Sequence, residues 1–89
     1  MTLYMFYGEE CPHCEKMMLV VEEVESERAV EIEQLEVWHD KENAEKMQGI
    51  EEFEECGGVP FFYNTETEQW ICGEASNQEL ADWAAGEQA

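Results

Sequence analysis

The sequence predicts a single α/β domain with its elements in the order β-α-β-α-β-β-α. Short apolar runs alternate with stretches whose apolar residues recur at steps of three and four, the mark of strands interleaved with amphipathic helices. The 89 residues suffice for one domain, residues 1–89, with a modest core. A Cys11-Pro12-His13-Cys14 motif falls where the first apolar run meets the first helical pattern.

The first strand is expected over residues 2–7 (Thr2-Leu3-Tyr4-Met5-Phe6-Tyr7) and the first helix over 12–26, with Met17, Met18, Val21 and Val24 on its apolar side. Val30, Ile32, Leu35 and Val37 alternate imperfectly and predict a second strand over about 31–38. His39-Asp40 leads into a second helix over about 41–55, with Ala44, Met47, Ile50 and Phe53 near one face and Gly49 inside the span. Gly57-Gly58 end that helix, and Val59-Pro60-Phe61-Phe62-Tyr63 opens the third strand, where a leading proline removes no interior ladder bond. A polar turn, Asn64 to Glu68, precedes a fourth strand, Trp70-Ile71-Cys72, closed by Gly73. Ser76-Asn77-Gln78-Glu79 reads as a capping box for a last helix with Leu80, Trp83 and Ala84 inward and Gly86 at its end. No repeat, linker or low-complexity segment interrupts this order.

The chemistry concentrates at the Cys-x-x-Cys motif. Pro12 suits the first turn of a helix, which puts Cys11 at or next to the N-cap, facing free backbone N–H groups and the positive end of the helix dipole. Both favour the thiolate, the reactive form of cysteine. A protonated His13 would add positive charge beside the sulfur, and Cys14, one turn on, is placed to attack a mixed disulfide formed at Cys11. This geometry exposes the first sulfur and shields the second. Two such cysteines can also be half of a zinc site, but zinc usually takes four protein ligands, and no second CxxC or HxxxH is present. An inert pair, with His13 a plain exposed residue, is the remaining reading. Redox chemistry suits the placement best.

Charge is the second informative feature. Twenty-three Asp and Glu against 4 Lys and Arg give a formal net charge of −19, spread along the chain. Such a surface repels nucleic acid and anionic lipid, and it repels itself. Molar salt, with a Debye length of about 3 Å, screens that repulsion, so a halophilic, salt-rich cytoplasm is the expected setting. A docking surface for a basic partner is the alternative, and a merely helix-favouring acidic composition is the bland one. No stretch reads as a membrane span or a signal peptide, which leads to the expectation of a cytoplasmic, monomeric protein.

With CPHC after the first strand and Gly58-Val59-Pro60 opening the third, the chain resembles the thioredoxin-fold superfamily at glutaredoxin size, over nearly its whole length. That resemblance implies a four-stranded mixed sheet with helices on both faces. It implies a cis peptide bond at Pro60 beside the catalytic sulfurs, with Val59 binding an extended substrate through its backbone and Gly73 ending the fourth strand near the site. Departures are as informative. Thioredoxins carry a buried acid in the first strand and a tryptophan just before the cysteines, where this chain has Met5 and Glu10. Glutaredoxins carry a glutathione-binding lysine where this chain has Gly8, and an acidic pair where it has Ala75 and Ser76, so glutathione is not expected as a ligand. The CPHC dipeptide resembles that of DsbA-type disulfide oxidases, which suggests an oxidising potential.

These features lead to the expectation of a thiol-disulfide oxidoreductase needing no organic cofactor or metal. Cys11 is the nucleophile, Cys14 resolves, Pro12 and His13 tune the thiolate, and Val59, Pro60 and Gly73 contact the partner. Its partners are protein disulfides or dithiols and a reductase or other electron donor. A metal-binding or metal-delivery module built on Cys11 and Cys14 is the runner-up, and an inert adaptor acting through its acidic surface the third reading. Cys56 and Cys72 could be a second redox pair, metal ligands or buried small hydrophobes; a cytoplasmic setting favours two unpaired thiols.

Overall fold

The computed structural model describes residues 2–86. It holds β1 (Leu3–Tyr7), α1 (Pro12–Arg28), β2 (Ile32–Glu36), α2 (Lys41–Gln48), α3 (Phe53–Cys56), β3 (Phe61–Asn64), β4 (Trp70–Cys72) and α4 (Asn77–Ala85). The strands form one mixed sheet in the order β2-β1-β3-β4. β1 runs parallel to β2, with Leu3 opposite Ile32 and Tyr7 opposite Glu36, and antiparallel to β3, which pairs antiparallel with β4.

Strand periodicity sorts the core into two layers. Side chains alternate across a strand, so Leu3 and Met5 of β1 and Phe62 of β3 point to one face, where Met17, Val21 and Val24 of α1 and Leu80, Trp83 and Ala84 of α4 cover them. Phe6 and Phe61 point to the other face, covered by Met47 of α2 with Phe53 of α3 packed alongside. Helices therefore lie on both faces. Each fully enclosed side chain of this size contributes about 1.5–3 kcal/mol, and the buried positions of α1, spaced three and four apart, form one continuous stripe.

The helix ends follow local chemistry. Ser76 and Glu79 make the reciprocal capping box of α4, and Asp40 caps α2 by accepting from the Asn43 N–H at 3.1 Å. Asn64, fully buried at the end of β3, accepts from the N–H groups of Glu66 and Thr67 at 2.9 and 3.2 Å and donates to the Trp83 carbonyl at 3.2 Å, tying the β3–β4 turn to α4.

Several boundaries differ from the sequence reading. The expected helix over 41–55 is two helices, because Gly49 caps α2, its N–H bonding back to the Glu45 and Met47 carbonyls, before the chain turns into the four-residue α3. α1 runs two residues past the expected 26, ending at Ala29 in the left-handed conformation. β2 is shorter than 31–38, since Val37 already leaves the ladder while staying buried, its N–H donating to the Tyr7 carbonyl at 2.8 Å.

The largest correction concerns Cys56 and Cys72, expected as unpaired thiols. They form a disulfide, with Cα atoms 5.5 Å apart. The left-handed turn at Gly57 folds the end of α3 back toward the sheet, and the Phe61–Cys72 pairing lays β4 beside it, so the two sulfurs come within bonding reach. Among the described residues, no helix is long and apolar enough to cross a membrane.

Candidate active site

Cys11 is the N-cap of α1, with extended backbone (φ −86°, ψ 112°) and Pro12 in the first turn. That conformation turns its side chain back over the helix start, where Sγ accepts the Cys14 N–H at 3.2 Å. The same inward turn corrects the expectation of an exposed first sulfur. Cys11 is only 4% exposed and Cys14 wholly enclosed, both packed in the cluster that holds Met5 and Met17. Both are free thiols. Cys11 is still the more open of the two.

The environment of Cys14 disfavours its thiolate. Burial comes first, the side-chain hydrogen bond with Cys11 second, and together with the charge on Cys11 they push the Cys14 thiol up to about 12 from an ordinary 9.0. A backbone hydrogen bond from Gly8 pulls the other way and ranks ahead of the Cys11 charge, but burial and the Cys11 hydrogen bond prevail. Met5, fully buried in the same cluster, supplies no proton acceptor.

Gly8 is the pivot beneath the motif. Its carbonyl accepts the Cys11 N–H at 3.1 Å, and the Trp38 ring lies so close that a Cβ at this position would fall within the ring system. No side chain fits here while Trp38 keeps its place. Trp38 itself is 53% exposed, presenting its outer face beside the loop that leads into the dithiol.

That loop is fixed by a carboxylate the sequence reading did not single out. Glu36, at the end of β2, accepts from three backbone N–H groups: Glu9 at 2.9 Å, Trp38 at 3.1 Å and His39 at 2.7 Å. Desolvation pushes its carboxyl up, but the hydrogen bonds from His39, Glu9 and Trp38 outweigh this and leave it below the ordinary carboxylate value. Beside it, His39 Nε2 meets the Glu10 carboxylate at 2.7 Å, and that hydrogen bond, then the Glu10 charge, raises the His39 imidazole. The two loops flanking β1 and β2 are thereby joined. No motif announces Glu36; the only sequence signal is its position at the C-terminal end of a strand parallel to the one that feeds the cysteines.

His13 lies on the exposed side of α1, where Nδ1 meets Glu74 Oε2 at 2.6 Å. Glu74 follows Gly73, so the pair bridges the start of α1 to the end of β4. Next to it, the Ala75 N–H rests on the Met17 sulfur at 3.3 Å. Gly73 adopts φ +86°, a left-handed conformation suited to glycine, and its N–H donates to the Pro60 carbonyl at 2.8 Å. The Val59–Pro60 bond is cis. Val59 is half-buried and packs against both core clusters, including the one that contains Cys11 and Cys14. The predicted residues thus share one end of the sheet: Cys11, Pro12, His13 and Cys14 on α1, Gly73 bonded to Pro60, and the Gly73–Glu74 turn bonded back to His13.

Comparison with protein-family models and with curated proteins returned no match to this chain. Among the described residues, no group of three or more His, Cys, Asp and Glu side chains is arranged to hold a metal ion.

Proposed function

We propose that this protein is a thioredoxin-like thiol-disulfide oxidoreductase whose Cys11–Cys14 dithiol exchanges with disulfides of protein partners. One observation carries the reading: two free thiols sit at the N-terminus of α1, one accepting the other's N–H, the second enclosed and held protonated. The strand order β2-β1-β3-β4, with helices on both faces and the dithiol between β1 and α1, supports the thioredoxin-like assignment.

The chemistry divides by environment. Cys11 as thiolate attacks one sulfur of the partner's disulfide, forming a mixed disulfide and releasing the other partner sulfur as a thiolate. While Cys11 is free, its hydrogen bond and charge help hold Cys14 protonated. Once Cys11 is bonded to the partner that charge is gone, so Cys14 ionises more readily when it is needed. Cys14 then attacks Cys11 Sγ, closing the Cys11–Cys14 bond and expelling the second partner thiolate. Two electrons pass to the partner, and the reverse sequence oxidises a partner dithiol. Val59 and Pro60 offer the partner an extended stretch of backbone at the mouth of the site. The acidic surface supports work in a salt-rich compartment.

The test is a pair of variants. Cys11→Ser should abolish exchange, whereas Cys14→Ser should attack once and accumulate a covalent mixed disulfide with a protein substrate. Trapping by Cys11→Ser instead would overturn the assignment of roles, and full activity of Cys11→Ser would overturn the function.

A further inference from the structure

The second cysteine pair is not absorbed by this mechanism. We infer that the Cys56–Cys72 disulfide is a separate redox site, opened from solvent by a small thiol or dithiol, that controls how the Val59–Pro60 segment receives a protein partner. The docking half of this inference rests on the oxidoreductase reading; the redox half does not.

Placement carries the argument. Cys56 packs on the α2–α3 side of the sheet, whereas Cys11 and Cys14 belong to the α1–α4 side, so the sheet lies between the two pairs. Direct exchange between them is closed off, and the Cys56–Cys72 bond must take its electrons from outside. It has access, because Cys72 is exposed on β4 and Cys56 is half-buried.

The bond also spans the docking segment. Cys56 ends α3, Gly57 and Gly58 follow with open space where any Cβ would be, and Val59–Pro60 comes next. Cys72 faces Phe61 across the ladder, and its neighbour Gly73 holds the Pro60 carbonyl. The disulfide therefore closes a short ring around residues 57–60, in which Gly57 and Gly58 lean on little else while Val59 packs on both clusters and Pro60 is buried. α3 buries none of its four residues, leaving the bond and the packing of Phe53 as its main attachments. Opening the bond would free α3 and the glycines without unpairing Phe62 from Ile71 or Tyr63 from Trp70. On the far side of Cys72, Gly73–Glu74 reaches His13, so slack introduced there also reaches the start of α1.

The chemistry balances as ordinary exchange. A thiolate attacks the exposed Cys72 sulfur, forming a mixed disulfide and releasing Cys56 as thiolate. A second thiolate then attacks the reductant's sulfur, freeing Cys72 as thiolate, so that two reductant thiols become one disulfide and the protein gains two thiols after proton uptake. The closed form anchors α3 and the Gly57–Gly58 approach to Val59–Pro60, and the open form leaves that approach loose, with weaker docking as the result.

Two measurements decide this. In the Cys11→Ser/Cys14→Ser double variant, Cys56–Cys72 is the only redox pair, and native protein is equilibrated with dithiothreitol and quenched for thiol counting beside far-ultraviolet circular dichroism. The inference expects two thiols to appear while the secondary structure stays folded; a bond that opens only as the fold is lost would overturn it. In the wild-type dithiol background, Cys56→Ser/Cys72→Ser is compared with the parent using a small aromatic disulfide and insulin. The expected result is an unchanged rate on the small disulfide and a several-fold higher KM for insulin with kcat retained. An unchanged KM for insulin would overturn control of docking. If the parent reduces neither disulfide, the oxidoreductase reading fails and docking control with it, while the thiol count still decides whether the second pair is redox-active.

Discussion

Raising the pH on the Cys11–Cys14 pair tests directly whether burial holds the Cys14 thiol protonated. A thiol at its ordinary 9.0 is about one-tenth ionised near pH 8, while Cys14, pushed up to about 12, is about one part in ten thousand ionised, a deficit of roughly a thousandfold in the reactive form. Reduced protein treated with iodoacetamide near pH 8 and read by peptide mass spectrometry should therefore label Cys14 scarcely at all, with Cys14 labelling still climbing tenfold per pH unit beyond pH 9. The same shift has a stability sign. Because folding raises the Cys14 value, the unfolded chain loses this proton first, so the contribution is whole below about pH 9 and is lost as pH rises from there toward about 12. Cys14 labelling as fast as an ordinary thiol near pH 8, or a plateau just above pH 9, would refute the claim that enclosure keeps it protonated.

Gly8→Ala would drive a methyl group into the Trp38 ring, and overpacking of this kind costs about 1–3 kcal/mol. A lowered urea midpoint with altered tryptophan emission is expected, and no change in either would show that the indole does not support the loop. With a net charge of −19, the melting temperature should rise between about 0.1 M and 1 M KCl as the Debye length falls from about 10 Å to about 3 Å; a flat or falling melt would sink the salt-adapted reading.

Much of the fold was legible because its signals are local. The capping box at Ser76–Glu79, the proline in the first turn of α1, and the glycine after α4 each act within one helical turn, and all appear where expected. The alternation in β1 and β3 likewise reports which face each residue takes. What the sequence hid depends on distance through space. Cys56 and Cys72 are 16 residues apart in the chain, and only the β3–β4 register together with the turn at Gly57 decides that their Cα atoms lie 5.5 Å apart. The break in the expected second helix turned on one glycine, whose cost inside a helix, about 1 kcal/mol, packing can override. Glu36 and Trp38 were invisible as site residues because their roles lie in backbone amides and a glycine that meet them only after β2 docks beside β1. His13 was expected to place charge beside the sulfur, and its hydrogen bond to Glu74, a residue 61 positions on, could not be read from the motif.

Val59 touches both sides of the sheet, packing against the cluster around Phe6 and Phe61 as well as the one that encloses Cys11 and Cys14. Elsewhere the β-sheet acts as a partition, so a cavity opened on one side is filled by neighbours on that side. At Val59 the partition has a gap. A change of volume at Met47 or Phe53 has a mechanical route to the dithiol that does not cross the hydrogen-bonded ladder, and Val59 is the seam through which the two halves of the interior share their strain.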